Sequence, residues 1–216
     1  WRVYAEFLNE IPLNIGVRAV AESPERLRLG TSIGYMPEVY LDTINTIVVE
    51  TGVYSALVAD LISAALKDSI LWKTHIGWRP VADLGSYVEF QYTFLGLGGG
   101  LSSEELVTAA TEIKGREGRQ ASTESLVSLD TAIHMVGLEA GYIWSLKSGI
   151  TLRAGLGFAL TVKANFDVDV RNDDTTALGA RFNDALETGT ADYLRETFVE
   201  WVHTPFISVT VGYRLF

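Results

Sequence analysis

The chain of 216 residues contains no cysteine. Disulfide frameworks, thiolate metal sites and cysteine nucleophiles are therefore excluded. Histidine is scarce at three, which leaves little for a multi-histidine metal centre. Charged residues make up 20%, below the roughly 25% of an average soluble domain. The balance within them is acidic, with a formal net charge of −10 and a pI near 4.8, so nucleic acid is not an expected partner. Long hydrophobic runs are also missing. Mean hydropathy is +0.19, yet no stretch approaches the ~18 uninterrupted apolar residues of a membrane helix. No charged-then-apolar leader precedes Trp1, and a signal peptide is expected to have been removed or left out.

What is present is alternation with period two, the period of a β-strand. Ile150 to Ala164 is the clearest case. Its even positions are apolar throughout, and its odd positions carry Thr151, Arg153, Gly155, Gly157, Ala159, Thr161 and Lys163. The same split recurs in Leu13–Ala19, Leu27–Tyr35, Ile70–Arg79, Tyr87–Phe94, Val136–Trp144 and Ile207–Leu215, with a shorter first segment around Val3, Ala5 and Phe7. That makes eight expected strands. Short turn-forming connections fall near 22–25, 79–85 and 146–149, and another break falls around Asn9–Pro12. Long connections follow the third, fifth and seventh segments, near 38–68, 98–123 and 165–203. Each holds a helix-like stretch, placed near 43–67, 101–114 and 185–202.

This pattern resembles the small bacterial outer-membrane β-barrels of the OmpA/OmpX-like kind, which have long antiparallel strands, short periplasmic turns and long surface loops. The resemblance covers the whole chain as pattern. Its one local motif is the ending, where Val211, Tyr213, Leu215 and Phe216 are similar to the terminal-strand signal read by the barrel-assembly machinery. Phe216 departs from that signal by falling on the opposite face or beyond the strand. The resemblance implies an all-β fold: one domain over 1–216, a closed antiparallel eight-stranded transmembrane barrel with helical inserts in the long loops, integral to the outer membrane.

Two features argue for lipid rather than water outside such a barrel. The polar face is rich in glycine (Gly34, Gly77, Gly137, Gly141, Gly155, Gly157, Gly212), which weakens a strand unless it makes room for something. Inside a narrow barrel it leaves space for long charged side chains. Aromatics fall near strand ends, as interfacial girdles do: Tyr35, Trp72 and Tyr92 towards the long loops, Trp78, Tyr142, Trp144 and Tyr213 towards the short turns.

The expected interior network contains Arg18, Arg28, Lys73, His75, Glu89, Glu139, Arg153 and Arg214. Adding Arg2, Arg79, Lys163, Glu6 and Glu22 gives a basic surplus of four, so the loops and turns would hold the acidity. Such charges read either as an ionic plug or as a narrow anion-selective pore. Eight strands enclose little more than their own side chains, which favours the plug. A soluble lipocalin-like binder is a further alternative, since soluble barrels alternate too.

No cofactor, metal or catalytic site is expected. Ser128, Asp130 and His134 share one face of the sixth segment, but Asp130 and His134 would stand ~13 Å apart along a strand. That exceeds the reach of general-base catalysis. The acidic stretch Asp167–Asp174 lacks the EF-hand pattern and reads as a surface loop. The inserts carry apolar residues, Leu57, Leu61, Ile62, Phe198 and Trp201, and the first is apolar nearly all round, as a helix buried on most sides is. These would either cap the barrel mouth or dock an envelope or surface-appendage protein. Lipid, including lipopolysaccharide, and the assembly machinery complete the expected partners.

Overall fold

A computed structural model describes residues 1–50, 66, 69–81, 84–97, 126–171, 195, 199 and 203–216. Alternating sequence becomes eight antiparallel strands: β1 (Arg2–Ile11), β2 (Asn14–Glu22), β3 (Leu27–Tyr35), β4 (Ile70–Trp78), β5 (Ser86–Leu97), β6 (Leu126–Ser145), β7 (Ile150–Arg171) and β8 (His203–Arg214). Each pairs with its neighbour in sequence, and β1 pairs with β8 from Tyr4↔Arg214 to Ile11↔Ile207, closing the barrel. Closure leaves no edge along the wall, so its backbone groups are satisfied all the way round.

The turns at one end are short. Between β2 and β3 the Ser23 amide donates to the Leu27 carbonyl (2.8 Å), with Arg26 at a φ of 70°. Between β6 and β7, Gly149 adopts a φ of +87°, a conformation that favours glycine, and its amide donates to Leu146. Beyond the end of β8, the Leu215 amide donates to Val3 and the Val3 amide to Phe216, so both chain ends lie at this short-turn end. At the opposite end β1 and β2 are joined by a tight turn at Pro12 and Leu13, while the other three connections are long.

Several expectations change. The first strand is not marginal but runs ten residues. The break expected around Asn9–Pro12 shrinks to the turn itself, because Leu8 and Glu10 turn inward. The long connections also shrink. β6 and β7 continue as a two-stranded ribbon, with Asp130↔Asp167 and Leu126↔Arg171 in register, so Asp167–Arg171 belong to a strand and not to an acidic loop. One helix is described, α1 (Glu38–Glu50). It begins ahead of the expected insert at 43–67, and its Leu41 is buried. The inserts at 101–114 and 185–202 fall almost wholly outside the described residues, apart from Arg195 and Val199. No helix among the described residues is long and apolar enough to cross a membrane.

The largest correction concerns parity. The register shifts between His134 and Met135, which pair with Lys163 and Thr161, so Val162 is the extra residue of a β-bulge. The residues directly after it change face. Ala164, expected outside, is buried, and Lys163, expected inside, is exposed.

Glycine does what its place on the polar face suggested. Arg28, Gly77, Glu89 and Glu139 are successive partners across four strands, which puts Gly77 between two large buried side chains. A Cβ there would come within 2.2 Å of Glu89 Cγ. Gly77→Ala should therefore destabilise the barrel by about 1–3 kcal/mol, the range for overpacking. Gly96→Ala is the control: the nearest atom to its Cβ would be Phe94 at 3.5 Å, and the change should stay within about 0.5 kcal/mol. Urea midpoints of the refolded proteins give both values.

Candidate functional site: the charged interior

Inward-facing residues of six strands meet on two glutamates. Glu89 of β5 accepts from Arg18 of β2 (2.7 and 2.9 Å) and from Arg153 of β7 (2.6 and 3.3 Å). The Nε of Arg28 of β3 lies 3.3 Å away. Glu139 of β6 accepts from Arg153 (2.8 Å), the Tyr87 hydroxyl, the Gln91 amide and the Ser208 hydroxyl (each 2.5 Å). Both carboxylates are fully buried.

Glu89 and Glu139 are direct cross-strand partners, an arrangement that repels if left alone. One nitrogen of Arg153 donates to both, and the Arg153 guanidinium stacks over the Tyr87 ring at 4.1 Å. A single cation therefore bridges two anions, and each carboxylate has enough donors to offset its desolvation. Glycine again makes this possible. A Cβ on Gly155 would meet the Tyr87 hydroxyl at 2.3 Å and Glu139 at 2.4 Å.

The network extends towards the short-turn end. Arg28 pairs with Glu22 (3.2 Å) and Glu6 (3.5 Å), Arg18 with Glu6 (3.5 Å), and Arg79 with Glu22 (3.1 Å). Towards the long-loop end stands a separate pair, Lys73 with Glu10, to which Asn14 also donates (2.8 Å). Next to it the interior turns apolar: Leu71, Leu95, Ile133 and Ala164 are successive register partners, all buried. The interior is thus an ionic layer below an apolar one.

Of the residues expected inside, Arg18, Arg28, Lys73, His75, Glu89, Glu139 and Arg153 are buried there. His75 packs against Gly30, where a Cβ would lie 2.0 Å from Nε2. Arg214 is exposed at the end of β8, outside the network, and Arg2 and Lys163 are exposed too. Glu10 was missed, because its nearness to Pro12 made it look like part of a turn. With those three bases removed and Glu10 added, the described interior holds five basic residues (Arg18, Arg28, Lys73, Arg79, Arg153). Against them stand five acidic ones (Glu6, Glu10, Glu22, Glu89, Glu139). The expected basic surplus is absent.

The outer face is the reverse of the interior. Phe7, Val17, Leu29, Ile33, Ile76, Phe90, Leu138, Leu156 and Val209 are all exposed. Tyr35, Trp72, Trp78, Trp144 and Tyr213 are exposed at strand ends, with Tyr92 and Tyr142 half-buried. Tyr142 and Trp144 lie 4.9 Å apart, and the Trp72 indole donates to Thr31 (2.9 Å). Val211, Tyr213 and Leu215 continue the outer face at the closing seam, and Phe216 is exposed beyond the strand.

For the chemistry considered from sequence, Ser128 and Asp130 are placed by backbone only, in the ribbon. His134 Nδ1 lies 2.6 Å from the Tyr92 hydroxyl. No group of three or more potential metal ligands occurs among the described residues. Leu57, Leu61, Ile62, Phe198 and Trp201 lie outside those residues. Comparison with family models, with curated proteins and with solved structures gave no match.

Proposed function

We propose that this chain is an integral barrel of a Gram-negative outer membrane, acting as a structural and interaction scaffold with its interior plugged. The observation that carries the reading is the inversion of polarity: charge is paired inside the barrel while its outer wall is apolar. A contiguous apolar surface on a soluble monomer rarely exceeds a few hundred Å². The outer wall here bears apolar side chains on all eight strands. β4, Ile70 to Trp78, has nine residues, which suits the ~9–11 of a tilted transmembrane strand. A lipocalin-like carrier has the opposite need, an apolar chamber for its ligand and a wetted exterior.

On this reading the short turns face the periplasm and the long connections face the cell surface. The closing β8 with its Tyr213–Phe216 end is the segment offered to the assembly machinery, and lipid with lipopolysaccharide surrounds the wall. Leu57, Leu61, Ile62, Phe198 and Trp201 are proposed, on sequence alone, to dock an envelope or surface-appendage protein. The chain is read as a non-enzyme without a cofactor. A porin-like channel is disfavoured by the equal numbers of acidic and basic residues inside and by the buried ion pairs.

The test is fractionation followed by conductance. The protein should stay with carbonate-washed membranes and run differently on gels when boiled and unboiled, the sign of a detergent-resistant barrel. In planar bilayers it should show no stable unitary steps. Release by carbonate would overturn the membrane reading, and reproducible unitary conductance would overturn the plug.

A further inference from the structure

Among the described residues with placed side chains, the outward positions of the barrel wall carry one formal charge, Lys163. The bulge at Val162 puts it there; without the extra residue its side chain would enter the interior. Its cross-strand partner is His134, also on the outer face, and neighbouring β-strand partners have Cα atoms ~4.5–5.5 Å apart. The Tyr92 hydroxyl lies 2.6 Å from Nδ1 of His134, and the Phe94 ring meets the imidazole edge-on at 5.5 Å. With the phenol donating, the ring proton sits on Nε2, and the imidazole becomes a second donor beside the ammonium. No carboxylate among the described residues pairs with Lys163. The next acidic residue along β7, Asp167, lies four positions on, ~13 Å away.

Height along the wall matters as much as direction. β8 begins to pair at His203↔Leu160, so Lys163 sits just beyond the start of that strand, at the long-loop rim. An ammonium facing lipid is costly at mid-membrane and costs little near the interface, where headgroups lie. We propose that Lys163 and His134, held by Tyr92, form a site on the outer wall for the phosphate of an outer-leaflet lipid headgroup. The site rests on the membrane reading above, which supplies the lipid at that height. Two donors on cross-strand partners, with no carboxylate partner among the described residues, match a phosphate, which accepts through several oxygens and carries the compensating charge.

The probe is lipid A bisphosphate, compared with its dephosphorylated form and with inorganic phosphate, on detergent-folded protein read by native mass spectrometry. The wild type should retain the bisphosphate form preferentially. Lys163→Ala with His134→Ala should lower that retention about tenfold, as expected for the loss of charge-assisted hydrogen bonds, and Lys163→Arg should restore most of it. Retention of the dephosphorylated lipid should be equal in all variants. The boiled-against-unboiled mobility change should persist in each, showing that the barrel is intact. If an intact barrel binds the bisphosphate equally with and without the two side chains, the site is overturned and the membrane reading stands. If inorganic phosphate occupies the site with no preference for the lipid, the lipid assignment is overturned. A protein that stays soluble without detergent overturns the membrane reading and the site with it.

Discussion

Glu89→Gln is expected to destabilise the folded barrel by about 3–5 kcal/mol, the range for removing one partner from a buried ion pair. The substitution keeps the shape and removes the charge on which three guanidinium groups converge. Arg18, Arg28 and Arg153 would keep Glu6, Glu22 and Glu139 respectively, at 3.5, 3.2 and 2.8 Å. Those remaining contacts are why folding should survive, with a lower urea midpoint. Arg2→Ala is the matched control. Arg2 is exposed and stands 3.9 Å from Glu22, so its loss should change stability by no more than about 0.5 kcal/mol. Equal midpoints for Glu89→Gln and Arg2→Ala would mean that the network does not hold the interior together.

Leu156→Arg tests the other side of the wall. Leu156 is 67% exposed, midway along the part of β7 that belongs to the barrel. On the membrane reading the new charge sits near the bilayer midplane and should cost about 2–4 kcal/mol of folding free energy in vesicles. Around a soluble barrel the same change is an ordinary surface substitution, within about 0.5 kcal/mol. Reversible folding into phosphatidylcholine vesicles, followed by tryptophan fluorescence, separates the two outcomes. An unchanged folding free energy would count against lipid contact at this position.

Much of the barrel was legible because strand alternation is local. Leu27–Tyr35 and Ile150–Ala164 announce their two faces without reference to any other part of the chain. The glycines were legible by composition: Gly77 and Gly155 made little sense on a wetted surface, and in the structure they face Glu89, Glu139 and Tyr87. Period-two reasoning failed where one residue changes the count. Nothing in Thr161–Val162–Lys163 marks a bulge, yet the bulge reverses Lys163 and Ala164. Reasoning from turn composition failed at Glu10, which reads as part of a loop until Lys73, 63 residues away, is brought beside it.

The sequence by itself determined seven of the eight strands and which face of each is apolar, while the first strand and the order of pairing came from the structure. Those seven and their faces follow from side-chain period, a property of short segments. Only the tertiary structure decided which charges meet. Closing eight tilted strands sets a stagger between them, and that stagger brings Arg18, Arg28 and Arg153 from three strands to one carboxylate on a fourth. It also replaced a counted basic surplus with equal numbers of paired acids and bases, because residues at strand ends, such as Arg2 and Arg214, alternate inward in sequence but emerge into solvent where the wall stops.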